Sequence, residues 1–287
     1  MITRIITVGP QRLGNLILSL HHDHLLDPRP NCTVIITPLP VQAVTDTISH
    51  SFPALNFVVI ADDDLIVQYP GIAKWQDPKN FRAGWLKQQA LKLAALDSIQ
   101  SQVFLIQDPD TFLIAEYQYY DQGQLCHFVL PEQYHYQGYY QTLENVLGIK
   151  RQTTASFVTE FMPVLASDWY QCRERIRQTI QQDWTCIIDH VPLEPFGQHR
   201  MIRWFSEYEL LGNWYRYLRS GKTMIQNRFV FNSLDTLNDL NTQYNAVCDR
   251  GIRGQIKGQP GLFSDHCDVD FDAINQALEI IRSKNIC

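Results

Sequence analysis

Apolar and polar positions along the first hundred residues alternate between two rhythms. Short continuous apolar runs at 4–8, 33–36, 57–60 and 103–106 have the length and β-branched content of strands buried on both faces. Between them lie stripes of helical period: Leu13, Leu16, Ile17 and Leu20; a segment over 41–49; and Leu86, Ala90, Leu93 and Ala94 at i, i+4, i+7 and i+8. Strand, helix, strand, helix, strand is the order of a parallel sheet, so an α/β fold with a mostly parallel central sheet flanked by helices is expected. Further on, the pattern predicts a strand over 157–165, an amphipathic helix over 168–182 and a helix running from Ser206 through Leu210, Leu211, Trp214 and Leu218. A last amphipathic helix is expected over 270–284. No repeat or low-complexity tract interrupts the chain, which reads as a single domain over 1–287.

Chemistry is concentrated where the strand over 103–106 ends, at Asp108-Pro109-Asp110. In open α/β sheets ligands bind outside the carboxyl ends of the strands. Residues two apart in an extended chain point to the same side, so both carboxylates could reach one hard cation. Pro109 biases Asp108 towards the extended region. Paired carboxylates suit Mg²⁺ or Mn²⁺, which bridge to phosphate oxygens rather than sit in a closed protein cage. A polar turn after a strand has the same composition, and spacing alone leaves both readings open.

Two blocks carry a resemblance. Gly84-Trp85, Gln88-Gln89 and Leu91-Lys92-Leu93 form a GW..QQ.LKL block ahead of Asp108-Pro109-Asp110-Thr111-Phe112, and Phe205-Ser206-Glu207-Tyr208-Glu209 precedes Gly212-Asn213. Together they resemble a bacterial family of GT-A glycosyltransferases, whose members are mostly of unknown function, with DxD and SEYE motifs. The likeness runs over about 1–270 and is carried by these two blocks; Pro109 stands where a small residue is more usual. The resemblance implies a GT-A, Rossmann-like sheet and a nucleoside-diphosphate sugar as donor. It implies Mn²⁺ or Mg²⁺ on Asp108 and Asp110, with His266 as a further ligand. Val8, Gly9, Trp85, Gln89 and Lys92 are then candidates for donor binding, and Glu207, with Glu209 second, for the base that deprotonates the acceptor.

Ser206 to Glu209 is also S-x-x-E, a capping box in which Ser206 caps the helix and Glu209 reaches back. If Glu209 caps, Glu207 is left to face the sheet edge. The segment 249–263 holds four glycines and Pro260, the composition of a mobile loop. Its Arg250, Arg253 and Lys257 could close over a diphosphate, since guanidinium forks match phosphate oxygens. Residues 116–148 are rich in Tyr, including Tyr117, Tyr119, Tyr120, Tyr134, Tyr136, Tyr139 and Tyr140. Such rings suit sugar faces on the acceptor side, and they equally suit a hairpin and helix packed on the sheet.

Composition narrows the remaining choices. A net charge of −6 over 287 residues argues against a general nucleic-acid binder. Neither a GxGxxG fingerprint nor a Walker loop follows the first strand, which argues against a dehydrogenase or a P-loop NTPase. Seven scattered cysteines with no C-x-x-C pair favour free thiols in a reducing compartment. With no signal peptide or membrane-length apolar run, a cytoplasmic protein is expected. His21-His22-Asp23-His24 reads as a solvated helix terminus, and Arg173, Arg175 and Arg177 as a solvated helix face. Asp62-Asp63-Asp64 also follows a strand and competes with Asp108 and Asp110 for the metal, but three adjacent aspartates read better as a charged loop. The expectation is a metal-dependent, inverting glycosyltransferase with a glycan or other hydroxyl acceptor. A nucleotidyltransferase and a non-catalytic sugar- or nucleotide-binding module are the alternatives.

Overall fold

The computed structural model describes residues 1–21, 23–109, 111–113, 117–121, 124–129, 137–159, 161–196, 199–219, 224–227, 229–231 and 254–257. Its centre is a five-stranded sheet of β1 (Ile2–Thr7), β2 (Cys32–Thr37), β3 (Phe57–Ala61), β4 (Val103–Gln107) and β5 (Phe161–Leu165), in the order β5-β4-β1-β2-β3. The first four are parallel, with Ile5 opposite both Val34 and Ile106. Each parallel step is crossed by helix: α1 (Leu13–His21), α2 (Val41–Ser51), then α3 (Asp62–Gln68) and α4 (Ala83–Ser98). β5 runs antiparallel on the edge, where Pro163 can lack an N–H without breaking an interior ladder. The expected mostly parallel α/β sheet flanked by helices is present.

Alternation along the strands separates two apolar layers. Ile5, Val34, Ile36, Phe104, Ile106 and Met162 face α4, α6 (Ala166–Ile180) and α7 (Glu207–Leu218), packing with Leu86, Leu93, Ile176 and Leu211. Ile6 and Ile35 face the other way, onto Leu16, Leu20, Val44 and Ile48. On that second side Leu105 and Phe161 meet Tyr117, Tyr119 and Leu125. Each fully buried side chain of this size stabilises the fold by roughly 1.5–3 kcal/mol.

Several sequence expectations change. Arg4, in the middle of the apolar run of β1, is buried and clamps Asp23 (Nη2–Oδ2 2.6 Å) and Thr33 (Nη2–Oγ1 2.9 Å). Asp23 is thus a structural partner and not part of a solvated helix end. A central-strand guanidinium has no path to water, and a buried charge must be paired. Asp62-Asp63-Asp64 is no loop: it forms the first turn of α3, where carboxylates complement the positive helix end. Of the three arginines on α6, Arg177 is 61% exposed, whereas Arg173 pairs with Asp97 and the Arg175 Nε donates to the Leu147 carbonyl at 2.8 Å.

Of the tyrosine-rich stretch, three described tyrosines are packed in the core. Tyr117 and Tyr119 are fully buried, the Tyr117 hydroxyl donates to the Cys126 carbonyl, and Tyr139 packs edge-on against Trp204. Tyr134 and Tyr136 lie outside the described residues. Part of the expected mobile loop is a strand, Gly254–Lys257, which pairs parallel with Phe229–Phe231 and antiparallel with Thr111–Leu113. Arg250, Arg253, His266 and the helix expected over 270–284 lie outside the described residues. Among the described residues no helix is long and apolar enough to cross a membrane.

Candidate functional site

The carboxyl ends of β1, β3 and β4 are followed by Val8-Gly9, Asp62 and Asp108. α4 begins beside that edge, its residues 86 and 89–96 all buried. Within this apolar run only Gln89 and Lys92 are polar, so both need partners from elsewhere in the chain. Lys92, whose side chain is 2% exposed, finds three. Its ammonium donates to Asp108 Oδ1, to Glu207 Oε1 at 2.7 Å and to the Tyr208 hydroxyl at 3.1 Å, and it lies 4.7 Å from the Tyr208 ring centroid. The Tyr208 hydroxyl in turn donates to Asp108 Oδ1 at 2.9 Å. Gln89 Oε1 accepts the Glu207 backbone N–H at 3.0 Å, fixing the first turn of α7 against α4.

One cation therefore sits between two carboxylates. Burial alone would pull the Lys92 ammonium down, but Asp108 and Glu207 outweigh it and hold its pKa above the ordinary lysine value. Glu207, 1% exposed, is pushed up by its burial and by Asp108, against the pull of Lys92. All three N–H groups of Lys92 are engaged within this buried hub. Glu207 likewise does not stand free at the sheet edge, because the lysine holds it inside.

Ser206 caps α7 as expected, its hydroxyl accepting the Glu209 N–H at 3.4 Å. The reciprocal half of the capping box is replaced. The Glu209 carboxylate accepts from the Ser156 hydroxyl, the Phe157 N–H at 3.1 Å and the Asn213 amide at 2.9 Å. These bonds tie Ser156 and Phe157 to α7, and the strand expected from 157 begins at Phe161. Burial pushes the Glu209 pKa up to about 7, with the Ser156, Phe157 and Asn213 donors pulling the other way.

Asp108 is the partly open member, its side chain 20% exposed. Oδ1 is held twice, and no described residue bonds Oδ2. The Thr111 N–H donates to the Asp108 carbonyl at 3.2 Å. Asp110 itself lies outside the described residues. In the strand register Lys257 stands opposite Thr111, four positions past the end of β4. Of the other candidates, Val8 is buried with its N–H on the Ile36 carbonyl (2.8 Å). Gly9 is open enough that a Cβ there would lie 3.7 Å from the Gln88 amide nitrogen. Trp85 packs beside Tyr139 and Trp204, with the Arg82 guanidinium 5.5 Å from its ring.

A pair that the sequence did not single out joins this edge: Lys87 Nζ lies 2.7 Å from the buried Asp62. The signal for it was the position of Asp62 directly after a strand of the same sheet as Asp108. Among the described residues no three His, Cys, Asp or Glu side chains converge as a metal cage. An Asp108 oxygen that no described residue bonds still fits a hard cation of the kind that takes one or two carboxylates and completes its shell with phosphate and water. A separate cavity of about 330 Å³ lies over α5 (Gln137–Leu147), lined by Gln137, Tyr140, Gln141, Glu144 and Arg151, and includes neither Asp108 nor Glu207.

Solved structures similar to the chain include glycosyltransferases. An active-site mutant of LgtC has 11% identity and a TM-score of 0.48, over 98% of this chain and 95% of that one. The galactosyltransferase LgtC in complex with donor and acceptor sugar analogues has 12% identity and a TM-score of 0.45, over 93% and 83%. Mouse xyloside xylosyltransferase 1, apo form, has 8% identity and a TM-score of 0.44, over 90% and 98%. Likenesses this distant carry no function from one chain to another. No curated protein matches the chain significantly in sequence. A family profile does match, over residues 11–244, and by that match the chain belongs to the family of unknown function DUF6492.

Proposed function

We propose that the chain is a glycosyltransferase of GT-A type, transferring a sugar from a nucleoside-diphosphate sugar to a hydroxyl acceptor with Mn²⁺ or Mg²⁺ as cofactor. The observation that carries this reading is Asp108 at the carboxyl end of β4, one oxygen held by Lys92 and Tyr208 and the other bonded by no described residue. The motif resemblance of the two sequence blocks supports it. Asp108, with Asp110 and His266, would hold the cation, which neutralises charge on the leaving diphosphate. Arg250, Arg253 and Lys257 would add charge-assisted hydrogen bonds to the same phosphates. Gly9 leaves room for a nucleotide at the end of β1. In this reading Lys92 and Gln89 hold the site together and do not touch the donor. An inverting course with Glu207 as base requires that carboxylate to leave Lys92, so its first task is to anchor the lysine.

The test incubates the full chain with a panel of nucleoside-diphosphate sugars, with Mn²⁺ or with a chelator, and follows nucleoside diphosphate release and thermal shift. Metal-dependent release of nucleoside diphosphate supports the reading. Pyrophosphate release would replace it with a nucleotidyltransferase, and a thermal shift without turnover with a binding module. A bound ligand at a hundredfold excess over its Kd stabilises the native state by about 2.7 kcal/mol, which a thermal shift resolves.

A further inference from the structure

We propose that Lys92 and Tyr208 are positioning residues for cation binding: they fix Oδ1 of Asp108 from inside the fold, so that Oδ2 is presented to the divalent ion at the sheet edge. This rests on the metal-dependent reading above. Rotation about the terminal bond of an aspartate turns the plane of its carboxylate and with it the direction of the second oxygen. Here that rotation is restrained, because Oδ1 receives both the Lys92 ammonium and the Tyr208 hydroxyl. The two donors are themselves joined, since Lys92 also donates to the Tyr208 hydroxyl at 3.1 Å. Neither donor can drift: Lys92 is tied to Glu207 at 2.7 Å, and Glu207 to Gln89 through its backbone. Partners behind a ligating carboxylate set its orientation, and losing one costs 10- to 100-fold in metal affinity as an order of magnitude.

The idea has an opposite that gives the opposite sign. A lysine that merely sits near the ion repels it, and removing that charge would tighten metal binding. A lysine that aims the carboxylate weakens binding when lost. Mn²⁺ alone serves as the probe, its binding to the full chain read by electron paramagnetic resonance of the free ion. Lys92→Met would strand Glu207, so the informative variant is Lys92→Met with Glu207→Gln, which removes both charges of the pair together. Tyr208→Phe is the second variant, because it deletes one donor to Asp108 and strands no charge. Asp108→Asn is the reference for loss of the ligand, and near-ultraviolet circular dichroism checks that each variant is folded.

Wild type is expected to bind Mn²⁺ and Asp108→Asn to lose it. The double variant is expected to bind at least about 10-fold more weakly and Tyr208→Phe more weakly in the same direction. Unchanged or tighter binding in both variants, with wild type binding normally, overturns this inference and leaves the metal reading standing. A wild-type chain that binds no Mn²⁺ overturns both.

Discussion

Lys92 and Glu207 stand 115 positions apart in the chain and 2.7 Å apart in the fold, and neither side chain is more than 2% exposed. Helix α4 cannot leave that lysine buried unless the first turn of α7 comes back to it. Removing one partner of such a pair strands the other, at a cost of about 3–5 kcal/mol, while removing both is far milder. Lys92→Met is therefore expected to lose stability in that range, and Lys92→Met with Glu207→Gln to recover most of the loss. Denaturant unfolding of the two singles and the double measures the coupling. Strictly additive losses would mean that the pair does not act as a unit.

Glu209 bears a different prediction. Glutamine keeps one carbonyl oxygen for the Ser156 hydroxyl and the Phe157 N–H, but it turns an NH₂ towards the Asn213 NH₂, donor against donor. A buried polar group left unsatisfied costs about 1–3 kcal/mol. Near pH 4.5, before the ionisation of Glu209 weakens wild type, Glu209→Gln should lose stability on that scale, although glutamine closes a capping box as well as glutamate does. Equal unfolding midpoints for the variant and wild type would show that Glu209 only caps.

The parallel core was legible because strands buried on both faces read as unbroken apolar runs, as at 33–36 and 103–106, and because the stripe at Leu86, Ala90, Leu93 and Ala94 marks α4, although 89–96 are buried all round. Ser206 was legible as a cap since capping is local. The hub was not, because Lys92 and Glu207 meet only through tertiary folding. A signal for it existed: a lone lysine in Ala90-Leu91-Lys92-Leu93-Ala94, flanked by apolar residues on every side, demands a buried countercharge. Arg4 within the run of β1 is the same signal and was answered by Asp23. Sequence could flag such a charge, but it could not name the partner, which is chosen by the fold.

Close approach of α7 to the segment before β5 makes a further test. A Cβ at Gly212 would overlap the Phe157 ring, which is itself fully buried. Alanine improves helix propensity by about 1 kcal/mol, whereas forcing extra volume into a packed core costs typically about 1–3 kcal/mol. So close an approach puts the steric cost at the upper end of that range, and Gly212→Ala should destabilise by up to about 2 kcal/mol in net terms. A more stable variant, measured by thermal unfolding, would show that α7 can shift away from Phe157.

Protons should reveal two buried groups that oppose each other. His127 lies between the edges of Phe157 and Tyr215, donates through Nε2 to the Pro163 carbonyl at 3.0 Å, and has no partner for Nδ1 among the described residues. Burial pulls its pKa from 6.5 down to about 4, with the Pro163 bond opposing. Between those values the unfolded chain binds the extra proton, so this contribution is complete above pH 6.5 and is lost as pH falls towards 4. Glu209 behaves in reverse. Its pKa rises from 4.5 to about 7, the folded chain holds the extra proton in that window, and stability is lost as pH rises through it. Each span is worth about 3 kcal/mol at 1.36 kcal/mol per pH unit, so in wild type the two nearly cancel between about pH 4.5 and 6.5. Replacing one group should expose the other. His127→Leu should become less stable relative to wild type as pH rises from 4 to 6.5, and Glu209→Gln more stable relative to wild type from 4.5 to 7. Denaturant unfolding across that range gives the two difference curves. Parallel curves for wild type and both variants would mean that neither group changes its proton affinity on folding.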